Sequence, residues 1–128
     1  MKALSLRQPW AWLVVHGGKL IENRRWNTRF RGQFMIHAAQ GMTATEYLDA
    51  CAFARRVSPS LEVPPFEQIK RGGFVGRARL VDVIDPCIGV RCAHPWHMPE
   101  QFGFVLEDVE PVEFKPARGA LNFFEVDA

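Results

Sequence analysis

From Phe74 to Asp85 the chain alternates small or apolar residues with charged ones, so that Gly76, Ala78 and Leu80 fall on one side and Arg77 and Arg79 on the other. A period of two sustained over that length describes a strand with one packed and one solvated face, which commits the chain to a sheet covered on one side. Shorter segments share this character. Ala3 to Arg7, Ile21 to Trp26, Gly32 to Ala38, Phe102 to Glu107, Val109 to Phe114 and Leu121 to Val126 read as strands. Turns are signalled at Asn27-Thr28-Arg29, at Asp108 and from Pro116 to Gly119.

Helices are inserted early and midway. Pro9 suits a first helical turn because its missing N–H costs nothing there, and Trp10 to His16 follows as a short helix, apolar almost all round, ended by Gly17-Gly18. Thr43-Ala44-Thr45-Glu46 has the form of a capping box, and Ala44, Tyr47, Leu48, Cys51 and Ala54 or Arg55 continue at the spacing of a helix packed on one side. Ser58-Pro59-Ser60 closes it, and Pro64 to Lys70 is expected to form a shorter helix stopped at Gly72-Gly73. Strict alternation of strand and helix is missing, and so is a Gly-rich phosphate loop, which argues against a doubly wound parallel sheet. The expectation is an α+β fold: a small, strongly curved sheet or barrel of about six strands with helices over its openings.

At 128 residues, 48% apolar and 23% charged, the chain has the size and composition of one globular domain over 1–128. It lacks an apolar run of membrane-spanning length, and Met1 to Arg7 does not have the form of a secretory signal, so a cytoplasmic location is expected. Three cysteines fit reduced thiols better than staples, with Cys51 in the core. A net charge of +2 says little by itself. Its distribution says more: Arg24, Arg25, Arg29 and Arg31 cluster around Trp26 and Phe30, whereas Asp85 and the acids of Glu107 to Glu113 lie in the second half. The first half is the expected anion-facing side.

Chemistry concentrates between Gly18 and Trp26. Strand parity sends Glu22, Arg24 and Trp26 to one face and Ile21, Asn23 and Arg25 to the other, with Lys19 at the mouth of the strand. A carboxylate, a guanidinium and an indole in a row suit a flat polar heterocycle: the ring stacks, the acid accepts from an amino group and the arginine donates to a carbonyl or phosphate. The ordinary alternative is a solvated same-face ion pair. Arg7 and Gln8 stand at the start of the first helix, where backbone N–H groups attract anions, or else they are simply a surface arginine beside a cap. His37 shares a strand face with Met35 and is placed to look into the same cleft, although a lone strand histidine is commonly structural. Lys19 with Glu22 is the one pair able to move a proton, provided burial lowers the lysine pKa.

Cys87, Cys92, His94 and His97 bring four zinc-type ligands into one loop. Only Ala93 separates Cys92 from His94 and Pro95 stiffens the loop, a spacing unlike the paired knuckles of common zinc sites. The expectation is therefore a polar loop, with no metal and no cofactor assigned. No nucleophile elbow and no H-E-x-x-H helix is present.

The order Leu4-Ser5-Leu6-Arg7-Gln8-Pro9-Trp10, then Gly17 to Trp26, then Arg31-Gly32-Gln33-Phe34-Met35-Ile36-His37 resembles the ASCH domain family, whose signature G-x-K-x-x-E-x-R is met by Gly17, Lys19, Glu22 and Arg24. The specific match covers roughly the first 40 residues, with the later strands fitting more loosely. The resemblance implies a PUA-like fold, a small β-barrel with flanking helices. It also implies an RNA- or nucleotide-related role, with Lys19, Glu22 and Arg24 at the centre of a cleft between the first helix and the barrel. Strand parity and helix-end position add Arg7, Gln8, Trp10, Trp26 and His37 as its wall, and Arg29 and Arg31, with Arg7, as phosphate contacts. The expected partner is RNA or another single-stranded nucleic acid, a nucleotide or a modified nucleoside. Some members of the family remove the acetyl group of acetylated cytidine with a lysine, a threonine three positions later and a further glutamate. Here Glu22 stands in the threonine position, so that route is not carried over. A hydrolase acting on an acylated nucleoside or on the RNA backbone, with Lys19 and Glu22 activating water and Arg24 holding developing charge, is the alternative. Glu100 is the candidate for an additional acid.

Overall fold

The computed structural model describes residues 1–87 and 92–127, so residues 88–91 and 128 of the expected 1–128 unit lie outside the described residues. Eight elements follow in order: β1 (Lys2–Leu6), α1 (Trp10–His16), β2 (Ile21–Arg24), β3 (Gly32–Ala38), α2 (Ala44–Val57), β4 (Gly73–Ile84), β5 (Phe102–Pro116) and β6 (Phe123–Glu125). Six strands form one sheet in the order β2-β5-β4-β3-β1-β6. β1 runs parallel to β3, with Leu4 opposite Ile36, and the other pairings are antiparallel. The result is an α+β fold, a sheet curled into a half-barrel with two helices.

The curl has local causes. The long β4–β5 ribbon slips register between Phe74 and Gly76, Arg77 and Arg79, and Leu80 and Asp82. Each irregularity adds bend and twist. Asp108 sits at φ 51°, in the left-handed region, as part of this bending. The expected break at Asp108 is thus a kink inside one continuous strand, because the ladder resumes on either side of it. The two ends of the sheet then approach through side chains: Trp26, just after β2, packs edge-on against Phe123 of β6 at 6.0 Å.

Alternation places Leu4, Leu6, Phe34, Ile36, Ala78, Leu80, Phe104 and Leu106 in one core, with Ala11 and Val14 of α1 among them. A second cluster joins Leu13 and Ile21 to Ala54 of α2 and to Trp96. α2 starts at the expected capping box: the Thr43 hydroxyl accepts from Glu46 N–H at 3.1 Å and Glu46 Oε1 accepts from Thr43 N–H at 2.9 Å. Its buried residues are Ala50, Cys51 and Ala54, while Leu48, expected on the packed side, is 63% exposed. The helix expected at Pro64 to Lys70 is only a turn, in which Gln68 and Ile69 N–H both reach Pro65 O. Among the described residues no helix is long and apolar enough to cross a membrane.

The cysteines correct the expectation of reduced thiols throughout. Cys51 is free and buried, whereas Cys87 and Cys92 are joined as a disulfide. Their Cα atoms lie 5.7 Å apart, within the span of such a bond.

Candidate functional site

Gly17-Gly18 ends α1 and turns the chain into β2. Gly18 lies at φ +72°, and the Lys19 N–H bonds back to Leu13 O at 3.1 Å. This turn drives the Lys19 side chain inward. A Cβ at Gly18 would meet nothing within 4 Å, so the left-handed backbone alone resists a side chain there. Gly18→Ala is expected to lower stability by about 1–2 kcal/mol in urea unfolding, with little change in the contacts described next.

Lys19 is 1% exposed. Its Nζ donates to Ile21 O, lies 3.5 Å from Glu22 Oε1 and sits 5.2 Å from the centre of the Trp10 ring. Burial pushes this ammonium below its ordinary pKa, the Glu22 carboxylate works against that shift, and the Arg24 charge adds to it. Glu22 is itself 7% exposed and is shared by two cations: its other oxygen lies 3.1 Å from Arg24 Nε. That approach is an ion pair without hydrogen-bond alignment, which leaves Arg24 Nε as a buried donor lacking an acceptor. The Arg24 Nη2 donates to Ser5 O at 2.6 Å and the guanidinium stands 5.8 Å from the centre of the Trp26 ring.

These groups form one side of an open cleft of about 380 Å³, walled by Glu22, Arg24, Trp26, Trp10 and Arg7 and rimmed by Arg25 and Gln101. Glu22, Arg24 and Trp26 thus share the cleft, although β2 itself ends at Arg24. Lys19 lies one layer beneath, behind Glu22. A more enclosed hollow of about 330 Å³, lined mainly by apolar groups such as Trp12, Val15, Val75 and Phe114, lies apart from these charges and contains none of the signature residues.

The remaining candidates are placed as follows. Arg7 lines the cleft but is forked onto Glu46, with both bonds at 2.6 Å, and this holds the acid down at about 2. Gln8 is buried away from the cleft: its Oε1 accepts from Trp12 N–H and its Nε2 donates to Lys70 O, so the side chain itself occupies the start of α1 where an anion was expected. His37 does not look into the cleft either. Its Nε2 lies 2.7 Å from Ala117 O, which can only accept, so Nδ1 accepts from the Ser5 hydroxyl at 2.9 Å. Arg29 is exposed outside the cleft, and Arg31 binds Thr28 O and Phe30 O there. Trp26 is half-buried against Phe104 and Phe123, which back its ring. Glu100 is exposed beside Arg25 on the far side of the rim.

Three contributors were not singled out in sequence. Ser5 fixes Arg24 through its backbone carbonyl, and Gln101 comes from the distant β4–β5 connection. Asn23, on the opposite side of β2 from Glu22, clasps that connection by donating to Trp96 O at 2.9 Å and accepting from Met98 N–H at 2.8 Å. Only Asn23 carried a local signal, as a polar residue sharing a strand face with the apolar Ile21. The sequence model of the ASCH domain matches residues 4–117. No curated protein matches the chain.

Proposed function

This chain belongs to the ASCH domain family, and from that membership and the geometry of its cleft we propose that it binds single-stranded RNA, or a nucleotide or modified nucleoside, in the hollow beside β2. The observation that carries the reading is the row Lys19–Glu22–Arg24, two members buried and the third partly so, in which one acid lies between two cations at the wall of an open cleft. Burying such a row is costly, and Arg24 Nε still lacks an acceptor. The partly exposed remainder of the Arg24 guanidinium, which lines the cleft, would donate to a ligand carbonyl or phosphate oxygen. Glu22 would accept from a base amino group, while Trp10 and Trp26 offer aromatic surface to a base. Lys19 lies 3.5 Å behind Glu22 as its counter-charge and does not line the cleft, so it does not touch the ligand.

Arg24→Ala should weaken binding of a short fluorescent RNA oligonucleotide about tenfold or more, roughly the loss of one charge-assisted contact. Trp26→Ala should weaken it in the same direction, as read by anisotropy, with circular dichroism confirming the fold. Unchanged affinity in both variants would remove the site. Affinity should also fall with added salt, and if Arg29 or Arg31 touches phosphate, each replacement lowers the salt slope by about 0.7.

The hydrolase alternative, acting on an acylated nucleoside or the RNA backbone, must work through Glu22 as the base, because Lys19 Nζ lies behind it. Release of acetate from an acetylated cytidine, or cleavage of RNA, lost in Glu22→Gln would favour that reading over binding alone.

A further inference from the structure

The β4–β5 connection holds a second group of chemically capable side chains that the cleft does not use. The Sγ atoms of Cys87 and Cys92 and a ring nitrogen of His97 all lie within 4.8 Å of one another. His97 is 5% exposed. Its Nε2 lies 2.6 Å from Gln101 O, and a carbonyl only accepts, so Nε2 carries the proton. The bare Nδ1 lone pair then points at Cys87 Sγ, 3.9 Å away. A disulfide sulfur has no hydrogen to offer, so in the bonded state this buried lone pair lacks a donor. A cation between the three atoms would complete it.

We propose that the reduced Cys87–Cys92 pair and His97 Nδ1 form a binding site for a thiophilic divalent cation of the zinc class. Two thiolates and one imidazole suit zinc by charge and softness. Bonds of about 2.3 Å to sulfur and about 2.0 Å to nitrogen put tetrahedral ligands about 3.5–3.8 Å apart. The existing Nδ1 to Sγ separation is close to that, and the two sulfurs reach it by parting once their bond is reduced. The fourth position is left to water. The Gln101 carbonyl plays the part of an outer partner that fixes the ring of a metal-bound histidine.

The loop is already tied in place for the task. His97 N–H bonds His94 O at 2.9 Å, Glu100 N–H bonds Cys87 O at 3.0 Å, and Asn23 clasps Trp96 and Met98. The sequence spacing argued against zinc because it lacks paired knuckles. The three ligand atoms instead meet within one connection, all within 4.8 Å of one another.

The test uses the full chain reduced with a phosphine, which becomes its oxide as the S–S bond takes up two electrons and two protons. Cobalt(II) is then added under argon after the phosphine is removed. The expected result is one cobalt per chain, with a near-ultraviolet thiolate-to-metal band and visible absorption of tetrahedral strength, both bleached by zinc. Cys87→Ser and Cys92→Ser should each remove at least half of the band. His97→Ala should weaken binding about tenfold or more, while Cys51→Ala leaves it intact. A fully reduced wild-type chain that shows no thiolate band, or a band untouched by both Cys87→Ser and Cys92→Ser, overturns the proposal. So does a pair that stays a disulfide through the phosphine treatment.

Discussion

Glu22→Ala is expected to cost about 3–5 kcal/mol of folding stability at neutral pH, the range for removing one member of a buried ion pair and leaving the other charge without its counterion. Lys19 is the residue left exposed to that loss, because its Nζ keeps only the Ile21 carbonyl as a bonded partner. In thermal unfolding the change is roughly 10 °C or more. The pH dependence has a definite sign. The folded-state pKa of Lys19 lies below its ordinary value of 10.5, so between the two values the unfolded chain binds more protons and stability rises with pH. Losing Glu22 removes the influence that held the pKa up, which extends this window downward. The deficit of Glu22→Ala should therefore be present in full at neutral pH and shrink as the solution is made alkaline. Adding Lys19→Met to the variant should restore most of the loss. A deficit below about 1 kcal/mol, or one unchanged by Lys19→Met, would show that the pair is not coupled as its 3.5 Å separation implies.

Phe104→Ala is the second large effect, at about 3–5 kcal/mol in urea unfolding. Phe104 has no exposed surface. Its ring meets Trp26 edge-on at 5.4 Å and stacks on Phe123 at 6.4 Å, so one truncation opens a cavity and breaks two aromatic contacts. It is also the residue opposite Glu22 in the β2–β5 ladder. The variant should therefore lose ligand affinity along with stability, because Trp26 loses its backing. Phe104→Leu, which keeps most of the volume, should lose clearly less of both. A cost below about 2 kcal/mol for the alanine variant would mean that neighbouring side chains close the gap, and the cleft with it.

Much of this was legible in the sequence because it depends on period and punctuation. The alternation around Ala78 and Leu80 located β4, the Thr43 box located α2 to the residue, and Gly17-Gly18 ended α1 where the chain needed a left-handed turn. Parity also placed Glu22 and Arg24 together. What was not legible depends on distance. Nothing local tells Gln8 that its amide will meet Lys70 O, or His37 that Ser5 and Ala117 will take both its nitrogens. Arg7 reads as a free cation until Glu46 arrives from α2. Lys19 was expected at the mouth of β2 and lies beneath the cleft wall, since Trp10 and Ile21 close over it from elements whose packing the local pattern does not specify.

β2 has four residues, and among the sheet strands it is bonded to β5 alone. Glu22 and Arg24 present their side chains to the hollow, whereas Asn23, also at its edge, spends its amide on Trp96 and Met98, so the site has handedness rather than mere position. Deleting one residue between Gly18 and Ile21 would not simply move the carboxylate by about 3.3 Å; it would turn the wall inside out, presenting an amide to the guest and thrusting an acid into the Trp96 packing. Point changes that keep this frame can tune what the domain recognises, whereas a single-codon loss there would abolish recognition and folding together.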